Sequence, residues 1–227
     1  MQNFQAMKNS GRIVSVNVGQ ARSVSHNGAE VTTGIFKTPV SAPVMALLQG
    51  LKGDVQVDRR YHGGTFKAVY AYPQEHFEWW QEQLGLSAME PGFFGENLSI
   101  RGLLESQVHI GDILQVGDAH LKVTQPRTPC SKLAMRSGKP QIIKTMLDSG
   151  RSGFYLQVVK EGLLRSGDTI ALLERGTSGF TIAGLQDLVW RDADNIEGAQ
   201  RALEIEHLAG EWRKPLQKRL REHGLPS

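Results

Sequence analysis

The chain has 227 residues, 40% of them hydrophobic and 22% charged, a balance that suits a folded globular protein with a sizeable core and excludes a disordered or low-complexity chain. Its single cysteine excludes an intramolecular disulfide and fits a reducing, cytoplasmic setting. A net charge of +3 suits an anionic small molecule as well as a nucleic acid and does not choose between them.

Met1 to Arg12 hold no apolar run of the kind a secretion signal needs, and no stretch approaches bilayer-spanning length, so neither export nor a membrane partner is expected. Ile13, Val14, Val16 and Val18 predict a first strand and Gly34 to Lys37 a short second one, with the polar Ser/Asn/Gly segment between them read as loop. In Leu51 to Arg60, Val55 and Val57 alternate with polar neighbours, which predicts a strand running into the Tyr61-His62-Gly63-Gly64 loop. Lys67 to Tyr72 predicts another strand, and Pro73 is placed as the first residue of a helix ending before Gly85. There Phe77, Trp80 and Leu84 share a face that Trp79 widens, a core stripe rather than a cofactor-stacking box.

Pro91 to Ile100 is a glycine-rich approach to a strand at Leu98 and Ile100. Asp112 to Val116 and His120 to Thr124 alternate on either side of Gly117-Asp118, a hairpin signal. Pro140 opens a short amphipathic helix with Ile142, Ile143, Met146 and Leu147 that Gly150 closes, and strands follow at Phe154 to Val159 and Thr169 to Leu173. From Ile182 the spacing is helical. Leu185, Leu188 and Val189 mark one helix, Asp194 is placed as the cap of a second with Ala199, Ala202 and Leu203, and Trp212, Leu216 and Leu220 line a third. About seven short strands with two crossover helices predict a mainly β fold with α: a closed or nearly closed barrel over residues 1–175, with a three-helix appendage over 182–223.

Cys130 stands in Thr124 to Leu133, where Pro126 and Pro129 end a strand and Arg127 and Lys132 bracket the thiol. Neighbouring cations favour the thiolate, the nucleophilic and metal-ligating form, whereas a lone cysteine is otherwise a small buried hydrophobe; the Pro-Arg-x-Pro-Cys setting favours function. Asp58-Arg59-Arg60-Tyr61-His62-Gly63-Gly64 and Lys67 supply more cations, an imidazole and bare backbone, also at strand ends. Glycine amides with Arg or Lys suit a phosphate and a thiolate suits a soft transition metal, so a phosphorylated, metal-bearing cofactor meets both demands. A structural zinc site needs four Cys/His ligands and is not expected, and neither nucleotide-binding glycine fingerprint is present.

Five separated blocks, Gly53-Asp54-Val-Gln-Val-Asp58, His62-Gly63-Gly64 with Lys67-Ala-Val-Tyr-Ala-Tyr72, Gly92-x-x-Gly95-Glu96-Asn97-Leu98, Gly111-Asp112 and Gln125-Pro-Arg127-x-Pro-Cys130, together resemble the MOSC domain, named after the C-terminal domain of molybdenum cofactor sulfurases. The motif-bearing part runs from residue 53 to 173, and the tail with Trp212-Arg213 and Leu216 to Leu220 resembles the three-helix extension of the bacterial YiiM-type branch. The resemblance implies a β-barrel that binds the molybdenum cofactor, a pterin bearing a dithiolene and a phosphate, with Cys130 as the protein ligand to molybdenum. Arg127, Thr128, Lys67 and the His62-Gly63-Gly64 segment would hold the pterin phosphate or shape the pocket, and Asp58 and Asn97 would orient the loops. The desulfurase domain of the sulfurases has no counterpart in this sequence, so no pyridoxal phosphate and no sulfur transfer by this chain alone are expected.

The same resemblance implies reduction of N-hydroxylated compounds, such as hydroxylaminopurine base analogues; such a step needs an acid, and His62 is the candidate proton donor because imidazole titrates near neutrality. No flavin, nicotinamide or iron–sulfur signature is present, so an external electron-donor reductase is an expected partner. The alternative of a different class is a non-catalytic cofactor carrier. Arg213, Lys214, Lys218, Arg219 and Arg221 cluster in the tail, yet across Ala183 to Ser227 seven cations face eight acids, so a nucleic-acid partner is not expected. The tail is expected to pack on the barrel or to mediate a homodimer.

Overall fold

The computed structural model describes residues 10–58 and 63–226. It opens with β1 (Ser10–Val18), a hairpin of β2 (Arg22–His26) and β3 (Ala29–Thr33), the short strands β4 (Thr38–Val40), β5 (Val44–Leu47) and β6 (Gly50–Leu51), and β7 (Val69–Pro73). Helix α1 (Phe77–Leu84) leads to β8 (Leu98–Arg101), and β9 (Ile113–Val116) turns into β10 (Ala119–Pro126). Helices α2 (Ser131–Ser137) and α3 (Ile142–Ser149) precede β11 (Phe154–Lys160), β12 (Gly162–Leu164) and β13 (Thr169–Glu174). Three helices follow: α4 (Ile182–Trp190), α5 (Ile196–Leu203) and α6 (Gly210–Glu222).

Seven strands close a barrel in the order β1-β13-β9-β10-β11-β7-β8, with β8 returning to β1. All these pairings are antiparallel except β7 with β8, which run parallel because the α1 crossover carries the chain back to the end it started from. Closure removes the exposed edges that an open sheet would leave.

Side-chain alternation along β7 sets the layering. Val69 and Ala71 join the barrel-interior cluster, while Tyr70 and Tyr72 join a second cluster with Phe77 and Trp80 of α1, Leu133 of α2 and Ile142 and Met146 of α3. The interior cluster continues into Ile182, Leu185, Ala199, Trp212 and Leu216, so barrel and terminal helices share one apolar core. Two tail arginines are spent inside this unit. Arg213 donates to the carbonyls of Leu203 and Ile205 at the end of α5, and Arg219 to those of Leu188 and Asp192 at the end of α4.

Five local expectations are corrected. The polar segment read as loop is the β2–β3 hairpin, turned at Asn27-Gly28 with φ of 50° and 77°, the backbone that an Asn-Gly pair adopts readily. Gly34 to Lys37 is not a strand, and neither is the run through Val55 and Val57; the amide of Val55 bonds to Gly19 O and Asp54 bonds to Gly19 N, so this backbone is tied to a loop and not to a ladder. Pro73 ends β7 in an extended conformation, and winding begins with the 3-10 turn Gln74–His76. The second tail helix is capped by Asn195, whose side chain accepts from Gly198 N, and not by Asp194.

Candidate functional site

At the end of β10 the chain leaves the sheet at Pro126, passes Arg127 and enters α2, with Cys130 as the extended residue that caps the helix. The partly exposed Cys130 lines a pocket with Asp58, Lys67, Asn97, Arg127 and Lys132, whose other walls come from Thr33 to Lys37, Asp54 to Val57, Gly95, Tyr70 and Tyr155. The pocket encloses about 580 Å³ with its open mouth included.

Arg127 is 4% exposed, its guanidinium carbon 4.8 Å from the centre of the Tyr70 ring, and its Nη1 is buried with no hydrogen-bond partner. Burial works against its charge, but the facing Tyr70, Cys130 and Tyr155 groups outweigh that and raise its pKa, so the guanidinium stays charged. The hydroxyl of Thr128 next to it is also buried without a partner. Burial pushes the phenols of Tyr70 and Tyr155 up, and Tyr70 donates to Ser152 O at 2.6 Å.

A second polar centre faces the same space. Lys37 Nζ contacts both carboxylate oxygens of Asp54, at 2.5 and 2.6 Å, with the two side chains only 8% and 2% exposed. Asp54 also accepts from Gly19 N at 2.8 Å and from Asn97 Nδ2 at 2.9 Å. Asn97 spends its remaining capacity on Tyr70 N and Asn17 O, so it ties the loop before β8 to β7, β1 and the pocket acid. Behind it, the fully buried Glu96 accepts from Gly92 N, Phe94 N and Ser99 Oγ, and burial raises its pKa.

Of the residues singled out in the sequence, Cys130, Arg127, Lys67, Asn97 and Asp58 are brought together on one pocket. Gly63, Gly64 and Thr128 do not line it; Gly64, with φ 86°, precedes the 3-10 turn Thr65–Lys67 that presents Lys67. His62 lies outside the described residues. The ammonium of Lys67 reaches Glu211 of α6 at 2.5 Å, and Lys132 lies 4.0 Å from Asp58. The sequence reading missed Lys37, Tyr155 and the role of Asp54. Asp54 had a signal, since it opens the first motif block; a lone lysine before Thr-Pro had none.

Among the described residues no group of three or more His, Cys, Asp or Glu side chains could hold a metal ion. A metal carried by an anionic organic cofactor brings ligands of its own, and the unpartnered Nη1 of Arg127, which lines the pocket, offers a donor for its acceptor oxygens. No helix among the described residues is long and apolar enough to cross a membrane.

A seven-stranded barrel with a thiol beside a cationic pocket and three terminal helices defines the class: the chain belongs to the MOSC family, whose members in general bind the molybdenum cofactor. Residues 58–171 match the MOSC domain and residues 181–223 match the YiiM-like, 3-alpha helix domain. The protein YflK of Bacillus subtilis is 35% identical over 207 residues, 91% of this chain and 93% of YflK. A protein of Gibberella moniliformis named Reductase is 34% identical over 185 residues, 79% of this chain but 32% of that longer protein. The crystal structure of YiiM from Geobacillus stearothermophilus matches with a TM-score of 0.77 at 38% identity, covering 92% of this chain and 99% of that one.

Proposed function

We propose that this chain binds the molybdenum cofactor in the Cys130 pocket and, with electrons from a separate reductase, reduces N-hydroxylated compounds, hydroxylaminopurine-type base analogues among them. The observation that carries the reading is the placement of the sole thiol beside the buried, incompletely bonded guanidinium of Arg127, in a pocket without a metal-binding cluster among the described residues. When bound, the cofactor would supply the two electrons that break the N–O bond. Cys130 would ligate its metal, Arg127 would bind its anionic part, and Asn97 would hold the surrounding loops in place. The match to the fungal reductase supports a reductive activity. A reducing, cytoplasmic location would keep the thiol reduced for this role.

The test is elemental analysis of protein made in molybdenum-replete, cofactor-competent cells, followed by turnover of 6-N-hydroxylaminopurine with a chemical reductant. Near-stoichiometric molybdenum that Cys130→Ala loses, together with turnover, is the expected result. Molybdenum retained with no turnover would instead favour a cofactor carrier, and a wild-type chain unable to hold the metal would overturn the reading.

A further inference from the structure

Removing a hydroxyl from nitrogen consumes protons as well as electrons. R–NH–OH with two electrons and two protons gives R–NH2 and water: the N–O bond breaks, the departing oxygen takes one proton to leave as water, and the nitrogen takes the other. The electrons come from an external reductase or a reductant such as dithionite. An acid positioned at the departing oxygen speeds such a step by about 10²- to 10⁴-fold.

No histidine is among the described residues that line the pocket. The two phenols are poor acids there, because burial raises both and Tyr70 is committed to Ser152 O. Asp54 has its oxygens engaged as acceptors by Gly19, Lys37 and Asn97. Lys67 is paired with Glu211 and Lys132 lies 4.0 Å from Asp58, carboxylates that are 36% and 28% exposed and so open to water, unlike the 2% of Asp54. Lys37 differs. Its ammonium is fixed by both oxygens of Asp54, and a lysine carries three donors, so one N–H remains for the pocket that Lys37 lines.

Resting on the reductase reading above, we propose that Lys37 is the proton donor to the departing oxygen, with Asp54 and Asn97 as the positioning residues that aim it. The charged groups facing Lys37 are Asp54 on the turn after β6, Glu96 in the loop before β8, and Arg136 in the last turn of α2. Burial, with a smaller push from Arg136, favours the neutral amine, while Asp54 and Glu96 favour the ammonium; the balance lies below the ordinary lysine range. After donation the neutral amine regains its proton from solvent through the pocket mouth.

Lys37→Arg separates the roles, because a guanidinium keeps the charge and the pair with Asp54 but does not release its proton. The expected result is molybdenum content within twofold of wild type, kcat for 6-N-hydroxylaminopurine down by about 100-fold, and loss of the high-pH limb that follows Lys37 deprotonation. In Lys37→Ala combined with Asp54→Asn, which leaves no unpaired buried charge, methylamine should restore turnover in proportion to its protonated fraction. Independently of activity, the ¹⁵N resonance of Lys37 Nζ in the cofactor-free chain should titrate below the ordinary 10.5. A metal-replete Lys37→Arg protein with the wild-type rate and pH profile, or a titration at or above 10.5, overturns the proposal while leaving cofactor binding intact. A wild-type chain without molybdenum sinks the underlying reading instead.

Discussion

Lys67 Nζ lies 2.5 Å from Glu211 Oε1, so a lysine of the pocket wall is held by the first turn of the last helix. Two further contacts join the same places: the Phe66 ring stacks on His207 with centroids 4.2 Å apart, and Ala209 N donates to Gln125 Oε1 at 3.1 Å. The stretch from His207 to Glu211 thereby grips both the segment before β7 and the strand that leads to Cys130. Because the Glu211 carboxylate is about one-third exposed, Glu211→Gln should change unfolding free energy by less than ~1 kcal/mol. It removes a negative charge beside a pocket that has to take an anion, so the cofactor-free chain should bind inorganic pyrophosphate a few-fold more tightly, as titration calorimetry would read.

Trp212 behaves differently, being 1% exposed and packed in the core that barrel and tail share. Trp212→Ala should cost about 3–5 kcal/mol in denaturant unfolding. Its effect should reach the barrel, with protection of the β10 amides falling together with that of the terminal helices.

The pair of Lys37 and Asp54 makes a third case. Lys37→Met leaves a buried carboxylate without its cation and should cost about 3–5 kcal/mol, whereas adding Asp54→Asn should recover much of that loss. A double-mutant cycle by urea unfolding gives the coupling directly.

Barrel strands were legible wherever an interior face and a covered face alternate, as along Leu121 to Val123 and Val69 to Tyr72, and Cys130 was conspicuous as the sole thiol. The β2–β3 hairpin was not, because both its faces are largely polar and its signal reduces to Asn27-Gly28. The Lys37–Asp54 centre joins two irregular segments 17 residues apart, and periodicity says nothing about such a meeting. Val55 and Val57 mimic a strand because both line the pocket, while the Val55 amide bonds to Gly19 O in a loop and to no neighbouring strand.

Glu96 gives the pH prediction. Burial raises its pKa above 4.5, so the folded chain favours the protonated acid more than the unfolded chain does. Its contribution to stability is therefore fully present below the unfolded value and is lost as pH rises through the folded one. Unfolding free energy measured from pH 4 to 7 should show that loss in the wild type, and Glu96→Gln, which does not titrate, should lack this component of the slope.

Gly34 offers a steric test. A Cβ placed there would stand 2.1 Å from Val55 O, a backbone atom that cannot turn aside as a flexible side chain would. Gly34→Ala should force the segment after β3 away from the Asp54 turn, costing about 1–3 kcal/mol and weakening cofactor retention through the displaced wall. Melting temperature and metal content together would check both effects.

The seam of the barrel joins Ser10 to Ala171 and Arg12 to Thr169. A growing polypeptide on the ribosome therefore cannot zip this cylinder shut until about 160 residues beyond the first strand have been made, and until then that strand waits with an open flank. Closing so late a contact makes for slow folding, and it exposes the nascent chain to mispairing with its neighbours for as long as synthesis lasts.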